Sequence, residues 1–323
     1  MLLAEIAAGP LTAPGSRDLK VQAYNFRLIL NNAPANRLEI TKPEGYNRDR
    51  FALLANYLAR LEPHFHRAPV LDDFFYARPI PANKQDFNNN GPFSTDYIGH
   101  SWLYPEATYL RKAAIWQDHL LYVQSLIYFL AHDSAVPTGL REEVGQWGLP
   151  KDEFADTGHW SCQLYIREGR RMIGAYVIRQ SDLQTQRTKP DSIGMGSYNS
   201  DSHNAQRVAM PDGSVQNEGD VQVRVQPYEI PYRAITPQQR EAENLLIPVC
   251  LSASHVAYSS MRMEPQYMII GQAVGVAAAL AVQHHSTIQN VSIPELQDRL
   301  HRRGAVLHLE QQFSDESTPT PLP

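Results

Sequence analysis

The chain has 323 residues, a formal net charge of −5 and 43% apolar side chains. The length gives room for two or three domains, and the apolar share is ordinary for a soluble globular protein; mild charge and dispersed Lys and Arg argue against nucleic acid as a partner. The two cysteines, Cys162 and Cys250, are too few for a disulfide framework, an iron–sulfur cluster or a Cys-rich zinc site held by this chain alone.

The opening MLLAEIAAGPLTAPG is punctuated by Pro and Gly. It lacks a basic n-region and a proper apolar core, so it does not look like a secretory signal, and a cytoplasmic location is the default expectation. Residues 19–30, LKVQAYNFRLIL, alternate polar and apolar side chains and predict a strand. The alternation puts Asn25 and Arg27 on one face and Tyr24 and Phe26 on the other. A turn follows at Pro43-Glu44-Gly45-Tyr46, and residues 50–61 have helical spacing with Leu53, Leu54, Tyr57, Leu58 and Leu61 on one face. Residues 70–81 predict short strands broken by Pro79 and Pro81. Residues 86–104 read as an aromatic, Asn-rich loop, and Pro105 sits where a helix over 106–132 can begin, its stripe running through Leu110, Ala114, Leu121, Ser125 and Tyr128. Another helix is expected over 158–178 around Leu164, Ile166, Met172, Ile173 and Tyr176, although Gly169 and Gly174 weaken it.

Residues 191–226 read as β and loop structure with a turn at Pro211-Asp212-Gly213, and 228–235 as an extended segment. Residues 245–251 predict a buried strand and 252–262 a polar loop. Residues 264–283 then predict a long, small-residue helix opening at Met263-Glu264-Pro265. The apolar run 268–282 inside it is too short for a bilayer and carries Gln272, so no membrane partner is expected. A last amphipathic helix is expected over 293–302, and the Ser/Thr/Pro-rich tail 311–323 is expected to be disordered.

Three places could carry chemistry. A helix that begins near Pro265 directs unpaired N–H groups outward, and these suit a phosphate or a ring carbonyl that gains negative charge; Arg262 adds a full positive charge beside them. Gly271 and Gly275 permit close approach to a sheet or cofactor. The plainer reading of this segment is an ordinary buried strand–helix unit. His255, in the preceding loop, is either a structural hydrogen-bonding residue or an acid–base. The second place is residues 196–207, where Asp201, His203 and Arg207 put an acid, a titratable ring and a fixed cation close together; in an extended chain Asp201 and His203 share a side. Its alternative is an exposed Asx-type turn. In the third, YEIPYR, Tyr228 and Tyr232 share one strand face and Arg233 takes the other. His64 and His66 lack a convincing ligand set, so no metal site is expected.

The stretch NLLIPVCLSASHVAYSSMRMEPQYMIIGQAVGVAAALA resembles the C-terminal flavin motif of the FAD-dependent oxidoreductase family, in the glutathione-reductase-like group of flavoproteins. VQAYNFRLIL, KPEGYNRDRF, DFNNNGPFSTDYIG, YPEATYLRKAAI, DSIGMGSYNSDSH, NEGD and YEIPYR resemble the same family in the same order. The resemblance implies an α/β fold: an α+β substrate domain over 1–237, and over 238–310 the C-terminal strand–helix part of a Rossmann-like FAD/NAD(P)-binding domain. It implies FAD as cofactor, with flavin contacts from Ser252, Ala253, Ser254, His255, Arg262, Met263, Glu264, Pro265 and Gln272. Chemistry then assigns His255, His203 and Arg207 as catalytic, and Asn25, Arg27, Tyr198 and Tyr232 as facing a small-molecule substrate. The family's G-x-G-x-x-G βαβ unit has no match here, since Gly194-Met195-Gly196 lacks the third glycine and the following helix. The expected reaction is hydride transfer from a small polar organic substrate to flavin. The rivals are an inactive truncation, a split enzyme needing an N-terminal FAD-domain partner, and a non-redox carbohydrate-binding module built on residues 86–104.

Overall fold

The computed structural model describes residues 2–13, 15–16 and 18–309; the tail at 311–323 lies outside the described residues. In chain order the elements are β1 (Leu28–Asn31), β2 (Arg37–Leu38), α1 (Ala52–Phe65), β3 (Phe75–Ile80), β4 (Lys84–Asn89), α2 (Tyr109–His132), α3 (Thr138–Gly145), β5 (Leu149–Pro150) and α4 (Gln180–Gln184). There follow β6 (Ser192–Gly196), β7 (Ser200–Ser202), β8 (Gln206–Ala209), β9 (Val215–Glu218), β10 (Val221–Val223), β11 (Tyr228–Pro231), α5 (His255–Met261), α6 (Glu264–Gln283) and α7 (Ile293–His301). The fold is α/β, with helices and strands interspersed and the strands gathered into small antiparallel sheets. The chain divides into two compact units, Met1–Arg167 with His203–Gly219, and Glu168–Ser202 with Asp220–Pro323.

In the first unit, β1, β4 and β3 form an antiparallel sheet whose inner face meets α2 in a core of Tyr24, Phe26, Phe74, Phe87, Tyr122, Leu126 and Phe129. α2 starts at Tyr109, three residues later than the expected 106. Thr108 is its N-cap and its hydroxyl accepts from Arg111 N at 3.4 Å. Its buried stripe is also rotated from the expected one: Ile115, His119, Tyr122, Leu126 and Leu130 face inward, whereas Leu110 is 87% exposed. The strand expected over 19–30 shrinks to β1. Ahead of it the backbone bonds to loops instead, Ala23 N to Asn204 O and Tyr24 N to Ser101 Oγ, each at 3.0 Å. β4 also takes over the first part of the expected loop at 86–104.

In the second unit, β6 and β11 pair and β6 seats on α6. Gly194 and Gly196 make that seating possible. A Cβ on Gly194 would stand 2.3 Å from Ile269 Cγ2, and one on Gly196 2.3 Å from Gln266 Nε2 and 2.7 Å from the Tyr228 ring. The glycine pair thus serves strand-on-helix packing. The inner face of α6 buries Ile270, Ala273, Val276, Ala277 and Leu280. Its outer face presents Met268, Gly271, Gln272, Gly275, Ala278, Ala279 and Val282 to solvent. By length and composition α6 could also cross a membrane, a test that the core helix of a soluble protein passes too.

Two expected elements are absent. The helix over 158–178 is irregular, because long-range partners take its amides: Tyr165 N bonds Asn25 O at 2.8 Å, Met172 N bonds Cys250 O at 2.9 Å and Ala175 N bonds Thr236 O at 3.0 Å. The buried strand over 245–251 is an irregular segment tied by Ile247 N to Ile235 O and Ser252 N to Ala234 O, with Leu245 and Val249 exposed. After Pro231 the extended YEIPYR segment turns into a short 3-10 helix, so both tyrosines are buried without sharing a strand face.

Candidate functional site

In the second unit the candidate side chains gather around α5, a helix inside what reads in sequence as a loop. Ser254 is its N-cap and accepts from Ala257 N at 3.3 Å, a Ser-before-apolar signal that sequence reasoning missed. His255 is therefore the first helical residue. Its Nδ1 lies 2.9 Å from Glu168 Oε1, and its Nε2 lies 2.8 Å from Ser202 Oγ. Glu168 and Ser202 are buried, while the His255 side chain is 31% exposed. With Nδ1–H donating to the Glu168 carboxylate, Nε2 accepts from the Ser202 hydroxyl.

The loop before α5 is pinned by its own backbone. Ser252 Oγ accepts from Gly174 N at 3.0 Å, Ala253 bridges Ile178 and its carbonyl accepts from Arg171 Nη1 at 3.3 Å, and Ser254 N donates to Ile178 O at 2.8 Å. Arg262, the C-cap of α5, is buried. Its Nη2 donates to Asp201 O at 2.7 Å and meets Asp201 Oδ2 at 3.4 Å. Its charge is thus matched within the unit by Asp201, whose other oxygen accepts from Gln222 Nε2 at 2.8 Å. Tyr198 is half exposed, with its hydroxyl 3.5 Å from Asp201 Oδ2. Tyr232 is a packing residue that donates to Ile288 O at 2.7 Å.

α6 opens at Met263 with no side-chain cap; Tyr267 N, bonded to Met263 O at 3.1 Å, begins the backbone ladder. Glu264 and Pro265 are exposed, whereas Gln266 of the same turn is buried and donates to Tyr228 Oη at 3.0 Å. Gln272 stands further along, on the exposed outer face.

In the first unit His203 has an equivalent setting. Its Nδ1 lies 2.7 Å from Asp96 Oδ2 and 3.3 Å from Asn89 Nδ2. Asp96 Oδ1 pairs with Arg167 Nη1 at 2.8 Å, and Arg167 Nη2 donates to Asn89 Oδ1 at 3.1 Å, closing a ring of four residues. Burial alone would raise the Asp96 carboxyl; the charges of Arg167 and His203 and their hydrogen bonds outweigh it and hold the group below its ordinary value. Asp96 is therefore an anion that fixes the His203 ring. The expected partnership of Asp201 with His203 is replaced by Asp96 with His203 and Asp201 with Arg262.

Other expected residues have structural settings. Arg207 is buried: Nη1 pairs with Glu5 Oε2 at 2.6 Å, Nη2 donates to Pro92 O at 2.6 Å and Nε to Asn217 Oδ1 at 3.1 Å. Burial raises the Glu5 carboxyl despite the lowering effect of Arg207. Asn25 is buried on Thr95 and Asn88, whereas Arg27 is exposed and paired with Asp86, so the two do not form a common face. Of the aromatic side chains in residues 86–104, Phe87, Phe93 and Tyr97 are buried and Trp102 and Tyr104 are half-buried.

Sequence reasoning missed Glu168, Arg167, Asp96, Asn89 and Ser202. Asp96 and Asn89 lie in the loop singled out for its polar density, and Ser202 adjoins His203. Arg167 and Glu168 gave no signal, because their stretch reads as a helix.

The chain matches the family described as FAD dependent oxidoreductase over residues 5–300, and it belongs to that family. No curated protein and no solved structure matches it. Membership supports an oxidoreductase that uses FAD. α6 has no side-chain cap at its N-terminus, so the free amides of its first turn suit an anionic or electron-poor group, and the loop before α5 is pinned by Gly174 N donating to Ser252 Oγ.

Proposed function

We propose that the chain carries the substrate-handling part and the flavin-ring end of an FAD-dependent oxidoreductase of the glutathione-reductase-like group, oxidising a small polar organic substrate. Residues 1–237 are then mostly substrate domain and 238–310 the returning part of the FAD domain. FAD, when bound, supplies the two-electron acceptor. The observation that supports this most is the clamping of two imidazoles through Nδ1 by buried carboxylates, His255 by Glu168 and His203 by Asp96. Such a carboxylate fixes the tautomer, leaves Nε2 as the base and stabilises the imidazolium formed when a proton arrives.

We assign removal of the substrate's proton to His255. The Ser202 hydroxyl sits where an O–H donor meets Nε2, and His255 is the more exposed imidazole of the two. His203 handles a proton in the first unit by the same geometry. The N-terminus of α6 and the loop at 252–254 hold the flavin ring, and the half-exposed Tyr198 of the same unit meets the substrate.

The ADP end of FAD needs a glycine-rich βαβ unit, and this sequence contains no G-x-G-x-x-G leading into a helix. The outer face of α6 is small, apolar and exposed, with nothing within 4 Å of a Cβ built on Gly271 or Gly275. We infer that a βαβ unit from another segment or a partner chain covers that face and completes the cofactor site.

The test is titration with FAD, alone and with a co-expressed βαβ chain, followed anaerobically by a panel of polyols, hydroxy acids and amines. Saturable quenching of flavin fluorescence and bleaching by one substrate class are expected. Unquenched flavin in both arms would remove the proposal.

A further inference from the structure

A cleft of the first unit, whose lining includes neither His203 nor Asp96, has a volume of about 820 Å³. That volume falls within the range of about 300–1,000 Å³ usual for small-molecule sites. One wall is a single stripe of α1, where Leu53, Asn56, Tyr57 and Arg60 follow at i, i+3, i+4 and i+7. The β8–β9 hairpin gives the opposite wall, with Val215 turned into the cleft, and Leu3 and Ile6 of the N-terminal segment close a third side. Phe93 supplies the floor, its ring centroid 5.4 Å from that of Tyr57.

The polar groups of the cleft are unequal. Arg207 is neutralised by Glu5 and bonded to Pro92 and Asn217, so it offers no charge to a ligand. Arg60 is exposed at the end of the α1 stripe, and among the described residues it makes no hydrogen bond or ion pair; the neighbouring Asn56 is likewise exposed and unengaged. An apolar trough with one unspent guanidinium and one amide at its edge selects a ligand with an apolar body and an anionic head. Arg binds such a head best when it is a planar carboxylate, which its fork meets bidentately.

We propose that this cleft binds an amphiphilic carboxylate: an alkyl or aryl body against Leu53, Tyr57, Phe93 and Val215, and a carboxylate on Arg60 and Asn56. This is a second site, and its occupancy does not depend on flavin.

The probe is decanoate, titrated calorimetrically into the full chain without FAD, with octanoate, dodecanoate, decanol and decyltrimethylammonium as comparators. Saturable binding at one site is expected, tightening about fourfold per added methylene until the trough is filled. Arg60→Gln should weaken decanoate about three- to tenfold and leave decanol unchanged. Val215→Glu, at an exposed position, should weaken decanoate and spare the ammonium probe. Non-saturable uptake, or decanol binding as tightly as decanoate with Arg60→Gln without effect, would overturn the proposal. Because the readout is heat in the absence of flavin, failure here is distinguishable from failure of the oxidoreductase reading.

Discussion

Replacing Gly196 by alanine tests the seating of β6 on α6, on which the placement of the α6 N-terminus depends. The new Cβ would stand 2.3 Å from Gln266 Nε2 and 2.7 Å from both Cζ and Oη of Tyr228. Carbon contacts settle near 3.5–4.0 Å, so the overlap is roughly 1 Å. Gln266 could swing its amide away. Tyr228 could not, because it is buried and its hydroxyl is held by Ser260 Oγ at 2.7 Å and Gln266 Nε2 at 3.0 Å. Overpacking of this kind costs about 1–3 kcal/mol, and a lost hydrogen bond adds about 1 kcal/mol. At about 2–4 °C per kcal/mol, the melting temperature should fall by roughly 4–16 °C. The control is Gly271→Ala on the outer face of the same helix, where a Cβ meets nothing within 4 Å. Alanine there gains about 0.5–1 kcal/mol of helix stability and should hold or raise the melting temperature. Thermal unfolding followed by circular dichroism reads both. A Gly196→Ala protein melting within 1 °C of the parent (roughly a third of a kcal/mol), or a Gly271→Ala protein equally damaged, would refute the packing argument.

Three further outcomes follow from the site. His255→Ala should slow flavin bleaching by substrate about 10²–10⁴-fold while leaving the bound-flavin spectrum intact, as stopped-flow absorbance would show; an unchanged rate removes the proton-acceptor assignment. Arg262→Ala strips Asp201 of its buried partner, so it should lower the melting temperature and weaken flavin binding, read by differential scanning fluorimetry and fluorescence titration. His100 stacks on Tyr97, and burial lowers its pKa from 6.5 to about 4, against the raising effect of Asp118. The unfolded chain then binds the proton first. Stability from this group is present above pH 6.5 and is lost as pH falls from about 6.5 to 4, and a His100→Gln variant should show a flatter stability profile over that window by urea unfolding at each pH.

Much of this fold was legible where one segment decides its own structure. The bounds of α6 match their sequence signals because Met263-Glu264-Pro265 opens it and a continuous apolar run sustains it. α7 likewise starts at Ile293, after the capping Ser292 and with Pro294 in its first turn. The failures lie where distant backbone decides. Residues 158–178 have helical spacing, yet their amides pair with residues 25, 236 and 250, and the glycines let them do so. That same irregular stretch delivers Arg167 and Glu168, whose partners Asp96 and His255 lie 71 and 87 positions away in sequence. His203 and His255 were visible as candidates because a histidine in a polar loop is itself a signal. The carboxylates that clamp them were not, because no local pattern joins an acid to a ring across such separations. Arg207 shows the converse: a cation beside an acid and an imidazole in sequence became a buried partner of Glu5.

The most direct measurement is an FAD titration of the chain assembled with a G-x-G-x-x-G-bearing βαβ chain, with Gly271→Leu run alongside. Saturable quenching that disappears when leucine bulges from the outer face of α6 is the expected result. Flavin that stays fluorescent with the partner present, or binding indifferent to leucine at that face, would contradict the assignment of this helix to a shared cofactor site.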